Sequence, residues 1–314
     1  MLRINIEDKI AFKEVGNSIV KDLCLIIEER KRDWHNNKYS NALGLSKSNK
    51  REIDRFFSKM TFEYIENLVF LKPQKLKNEA IFYITEKKHK YLIKIIRDIF
   101  LKAYKDKFQR KKFINSLGLK TCPYCNRAYT YTIEDGNINP QIDHFYYKAK
   151  YPLFAVSLYN LIPACATCNS SGAKGEKDTL LGEYAIHSPH EINDSEFEFG
   201  YKLLSPTLIK GTKRIIDSDV KVYFKKKNEI YDKLFHLSSL YAQHADHIVD
   251  LLYKRKYVYD DETLKYLRKL AGKNFKRETL DRFIVGGYVT VTKYHKRPLS
   301  KLYTEIAKDI GLIV

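Results

Sequence analysis

Apolar residues recur at spacings of three and four, with charges between them, over 21–32, 54–71 and 90–108, the signature of amphipathic helices. The stretch 36–48 and the Lys72-Pro73 step read as connections. Between 121 and 200 the pattern shortens to alternating runs such as 129–133, followed by a turn signal at Asp135-Gly136. Helical spacing returns after about residue 228, over 230–257, 261–271 and 298–310. The chain shows no repeat of fixed period and no low-complexity block. These patterns predict an α+β fold, predominantly helical, in three regions: helical 1–120, a short-stranded centre at 121–200, and helical 201–314.

Charge sharpens this division. The 314 residues carry 57 Lys and Arg against 38 Asp and Glu, a net +19. The excess is uneven: 1–120 holds 28 basic and 15 acidic side chains, 121–200 holds 5 and 10, and 201–314 holds 24 and 13. An acidic centre between basic arms suits carboxylates that hold cations, flanked by surfaces that attract phosphates. Nucleic acid is the expected partner. With 44% hydrophobic residues the chain can bury a real core, which excludes disorder as its main state. The charged opening, with Arg3, Glu7, Asp8 and Lys9, lacks the apolar stretch of a secretory signal, and no apolar run is long enough to cross a bilayer. A cytoplasmic protein with no membrane association is expected.

Four of the five cysteines fall into two pairs, Cys122-Pro-Tyr-Cys125 and Cys165-Ala-Thr-Cys168, leaving Cys24 as a small hydrophobe for the core. A two-residue gap lets a tight turn aim both sulfurs at one tetrahedral ion, so the four thiolates predict a structural Zn2+ site. Between the pairs, Gln141-Ile-Asp143-His144-Phe forms a strand-like run ending in an adjacent carboxylate and imidazole. Neighbouring strand residues point to opposite faces. At the strand end Asp143 is placed to face a metal and His144 a water beside it. Further along stand Asn160-Leu161 and, directly after the last paired cysteine, Asn169, with Lys174 beyond it.

In this order the residues resemble the ββα-metal motif of the HNH endonucleases, over about 120–180. The resemblance implies a zinc-stapled ββα centre inserted between helical arms. It implies that His144 is the general base, that Asp143 and Asn169 hold one catalytic Mg2+ or Mn2+, and that Asn160 orients His144 through its loop. Asn169 stands where the family's eponymous histidine is more usual, and a neutral amide is a weak ligand. His187, in His187-Ser-Pro-His190, is a candidate to complete that shell. His244 and His247, with Asp246 between them on a predicted helix, read as a second metal site or as a solvated helix surface. Phe145, Tyr146, Tyr147, Tyr151 and Phe154 with Lys148 and Lys150 read as base-stacking positions or as core.

Local phrasing is similar to one branch in particular: the HNH nuclease subunits that accompany an ABC-type ATPase in Septu anti-phage defence and related retron systems. That branch implies a metal-dependent endonuclease acting on DNA or tRNA with a partner ATPase. The competing class is a non-enzymatic zinc-containing subunit that binds nucleic acid or docks a partner through its basic arms.

Overall fold

A computed structural model describes residues 1–36, 38, 45–85, 90–133, 139–204 and 214–314, with backbone alone over 80–85 and 272–274. Asp135-Gly136 and most of the 36–48 connection lie outside the described residues. The fold is mostly helical with two small two-stranded sheets. No helix among the described residues is long and apolar enough to cross a membrane.

The first arm is built on helix α1, Lys9–His35, which begins where the Asp8 carboxylate accepts the amides of Ile10 and Ala11 at 3.0 Å. Its buried positions, Phe12, Val15, Gly16, Ile19, Val20, Leu23, Ile26 and Ile27, form one stripe. That stripe packs on α3 (Phe62–Val69), α5 (Lys90–Asp106) and α6 (Arg110–Leu117). Gly16 has a steric reason: a Cβ there would lie 2.1 Å from the Phe70 ring. The helix expected over 54–71 arrives as two, α2 (Lys47–Lys59) and α3, because Thr61 caps a new start by accepting the Tyr64 amide at 3.2 Å. Lys72-Pro73 is indeed a connection, and Pro73 opens α4 (Pro73–Thr85), where its missing N–H costs nothing.

The centre carries strand β1 (Gln141–His144), antiparallel to β2 (Leu161–Ala164), and β2 leads at once into the short helix α7 (Ala166–Asn169). Register pairs Gln141 with Ala164 and His144 with Leu161. The run 129–133 contributes an isolated bridge between Thr121 and Tyr129, not a ladder. A second hairpin, β3 (Glu198–Leu203) with β4 (Val220–Lys226), opens the last arm.

The helical stretch expected over 230–257 is broken into α8 (Glu229–Phe235), α9 (Leu237–Ala242) and α10 (Ala245–Tyr253), with a π-helical turn at Lys254–Val258. His236 takes a left-handed conformation, φ 52°, at the first break. Asp232 secures that break by accepting from both the amide and the hydroxyl of Ser238. Helices α11 (Asp261–Asn274), α12 (Arg277–Val285) and α13 (Ser300–Asp309) complete the chain, and α13 packs on β3 and α10. One contiguous apolar core runs through all three regions, from Met1 to Ile313.

Asn126 links the centre to the last arm. It is fully buried at φ 51°. Its amide donates to Thr121 Oγ1 (2.9 Å) and to the Tyr294 (3.2 Å) and Arg297 (3.4 Å) carbonyls, while its own carbonyl accepts the Leu299 amide at 2.7 Å. Asn126→Ala strands buried acceptors, so it is expected to lower stability by about 1–3 kcal/mol, read as a fall in the urea midpoint. An unchanged midpoint would show that this bridge is not needed.

Candidate metal centre and adjoining Asp143-His144 site

The two cysteine pairs meet. The sulfurs of Cys122, Cys125, Cys165 and Cys168 all lie within 4.8 Å of one another, with Cys125 to Cys165 at 3.9 Å. An ion bonded to four sulfurs at about 2.3 Å sets tetrahedral edges of about 3.8 Å, so the cluster fits a metal such as zinc. The first pair sits in a tight turn: the Asn126 amide donates to the Cys122 carbonyl (2.7 Å), and the Arg127 amide donates to Cys125 Sγ (3.4 Å). The second pair opens α7, where the Asn169 amide donates to the Cys165 carbonyl at 3.1 Å. Burial pushes the Cys122 thiol well up, while bonds from neighbouring thiols pull Cys125 and Cys165 down and push Cys168 up. Four thiols sharing protons at this spacing are the arrangement a dication relieves by replacing those protons.

Tyr124, inside the first pair, carries the cluster's position to the next site. Its hydroxyl donates to Asp143 Oδ2 at 2.6 Å, and its ring stacks on Phe235 with centroids 4.5 Å apart. The other carboxylate oxygen accepts from Lys174 Nζ at 2.9 Å, and the same ammonium donates to the His144 carbonyl at 2.6 Å. Lys174 is fully buried and Asp143 is 4% exposed. This ion pair therefore lies inside the protein, locking the end of β1.

His144 points the other way, as alternation requires. Its ring meets Tyr104 of α5 edge-on, with centroids 4.4 Å apart, and Nε2 donates to the Ala155 carbonyl at 3.0 Å. That bond places the ring proton on Nε2 and leaves the lone pair on Nδ1. Burial, reinforced by the Lys148 charge and opposed by the Ala155 bond, holds the pKa of His144 down at about 3, so the ring is neutral. Asn160, fully buried, organises the loop that supplies that carbonyl. Its Oδ1 accepts the Tyr146 amide at 2.7 Å, and its Nδ2 donates to the Phe154 and Tyr146 carbonyls at 3.0 and 3.2 Å.

Asn169 is engaged by a residue other than Asp143. Its amide donates to Gln141 Oε1 at 2.9 Å, one strand step away on the same face of β1. His187 is exposed, and what is held there is its carbonyl, by the Tyr231 hydroxyl at 2.8 Å. His190 is buried against Tyr159 with Nε2 unpartnered among the described residues, and burial lowers its pKa to about 3. His244, Asp246 and His247 do bring ligand atoms within 4.8 Å of one another. Arg127 Nε already donates to His244 Nε2 at 2.8 Å, however, so a fixed cation occupies that lone pair. Phe145, Tyr146, Tyr151 and Phe154 are buried as core. The sequence reading missed Tyr124, Tyr104 and Asn126. Of these only Tyr124 had a signal, its place between two cysteines.

No protein-family model matches the chain, and no solved structure matches it. It is similar to Protein ea31 of Escherichia phage lambda, 30% identical over 92 residues, covering 29% of this chain and 27% of that protein. The match thus spans little more than a quarter of that relative's length.

Two predictions follow from this geometry. The metal centre contributes folding free energy on the order of 10 kcal/mol if filled, so chelation or Cys168→Ser is expected to unfold the 121–200 region, read by hydrogen exchange. Unaltered protection would contradict the centre's structural role. His190 has a folded-state pKa near 3, below the unfolded value of about 6.5, so the unfolded chain binds more protons between these values. Stability should therefore decline as pH falls from about 6.5, and His190→Phe should flatten part of that decline in urea titrations. A His190→Phe slope equal to that of the wild type would refute the assignment.

Proposed function

We propose that this chain hydrolyses phosphodiester bonds of nucleic acid, DNA or tRNA, with His144 as general base. One observation carries the reading: a neutral imidazole, its Nε2–H fixed on the Ala155 carbonyl, stands beside Asp143 at the end of β1 in a β1-β2-α7 unit. In this reading Nδ1 accepts a proton from water. The water oxygen bonds to phosphorus as the P–O3′ bond breaks; O3′ leaves with the bonding electron pair and takes a proton from solvent, giving a 5′-phosphate and a 3′-hydroxyl, and His144 returns its proton to solvent. Asn160 positions the loop that aims the ring. The cysteine cluster, read as structural zinc, holds Tyr124 against Asp143.

The resemblance to the HNH endonucleases also asks for Mg2+ or Mn2+ between Asp143 and Asn169. As arranged, these residues do not fit an ion: Tyr124 and Lys174 engage both Asp143 oxygens, and Asn169 is turned to Gln141. Cation dependence is therefore a variable of the assay. The same resemblance extends the proposal to a cytoplasmic effector of anti-phage defence, gated by an ABC-type ATPase that docks on the helical arms. The second reading, a non-enzymatic nucleic-acid-binding or docking subunit, draws on the near-complete burial of His144, 4% exposed.

The deciding assay incubates supercoiled plasmid and total tRNA with the protein in Mg2+, Mn2+ or EDTA, alone and with a co-purified ATPase. His144→Ala is expected to reduce cleavage by about 100- to 10,000-fold while nucleic-acid binding persists. Cleavage at the wild-type rate by His144→Ala would overturn the catalytic assignment. Binding without cleavage under every condition would favour the second reading.

A further inference from the structure

Tyr104, near the end of α5, is the meeting point of three groups from different parts of the chain. One edge of the environment is the His144 ring. Arg110, the first residue of α6, places its guanidinium carbon 5.2 Å from the Tyr104 centroid, and Lys148, in the loop after β1, places its ammonium 5.3 Å from it. We propose that Arg110 and Lys148, gathered on Tyr104, form a receptor for one phosphodiester group of a nucleic-acid strand beside His144. This inference rests on the hydrolytic reading above for the identity of the strand, and on the geometry for the site.

Three features of the geometry support it. First, neither cation is in an ion pair among the described residues, whereas nearby Lys150 is bonded to Asp178 at 2.5 Å and Lys174 to Asp143. Second, Lys148 is half-buried, and its pKa is lowered by burial and by the Arg110 charge, with the Asp143 charge opposing that shift only in part. Holding two like charges together partly out of water costs electrostatic free energy that a shared anion offsets. Third, both charges act on His144, so an anion seated on them lies next to the neutral base and not in remote solvent. A phosphodiester presents two non-bridging oxygens, which suit the planar fork of Arg110 and the compact charge of Lys148. Phe108 stacks on Tyr104 with centroids 5.4 Å apart and the two cations gather on the same ring, so the ring serves as a platform for them and not as a surface for a base.

The test separates binding from cleavage. In a His144→Ala background, a short fluorescent single strand and its duplex are titrated at several salt concentrations, with and without Arg110→Gln/Lys148→Gln. Losing the one neutralised phosphate is expected to reduce the slope of log affinity against log salt by about 0.7 for the single strand and about 0.9 for the duplex. Arg110→Lys/Lys148→Arg should restore the slope. The charge-matched pair Lys265→Gln/Lys269→Gln, exposed on α11, should leave it near the parent value. An Arg110→Gln/Lys148→Gln slope equal to the parent's, or a parent that binds neither oligonucleotide, would overturn the receptor. Orthophosphate binding more tightly than either oligonucleotide would overturn the nucleic-acid assignment. A lowered slope in a chain that cuts neither plasmid nor tRNA would leave the receptor standing while the hydrolytic reading falls.

Discussion

Four sulfurs held within 4.8 Å of one another are the constraint on which the centre of this protein depends. Cysteines that lie 40 residues apart in the chain, Cys125 and Cys165, are brought to 3.9 Å, and every segment between them must fold inside that closure. The regular structure between them is slight: β1 and β2 are four residues each, and α7 is a single turn. Strands this short are not stable as an isolated hairpin. A filled metal site adds folding free energy to the apolar packing of this region. From the cluster, contacts run outward in three directions. Tyr124 reaches Asp143, Asn126 holds the carbonyls of the last arm, and the Tyr241 hydroxyl donates to the Cys125 carbonyl.

The Asp143-His144 pair shows how one strand end serves two environments. Asp143 is turned toward the cysteine cluster, and Lys174 compensates its charge inside the protein. His144 is turned toward α5, where burial first, and then the charges of Lys148, Lys174 and Arg110, oppose its protonation. The imidazole is therefore kept neutral, while the adjacent carboxylate is bonded to a buried ammonium. Asn160 ties both to β2 by bonding the loop that begins immediately after His144.

What the sequence made legible follows from the range of the interactions. The cysteine pairs are readable because a two-residue gap is a local geometric statement, and the end of β1 is readable because a carboxylate and an imidazole stand side by side there. The extents of the helices were less so. Nothing in the apolar spacing over 230–257 marks His236 as left-handed, since the break depends on Asp232 capping through Ser238. The β3–β4 hairpin was missed because its strands are joined by a long connection without a tight-turn signal. Lys174 stands out in the sequence only as the lysine after the last cysteine pair, and its full burial against Asp143 depends on packing. Likewise the gathering of Arg110 and Lys148 on Tyr104 joins positions whose proximity is set by how the first arm packs on the centre.

The account rests most directly on the four cysteines acting as one metal centre. X-ray absorption at the zinc edge of the purified chain tests this. The expected spectrum is zinc bound by four sulfurs at about 2.3 Å. A spectrum with nitrogen or oxygen replacing one or more sulfurs, or protein that folds natively with no metal bound, would contradict it.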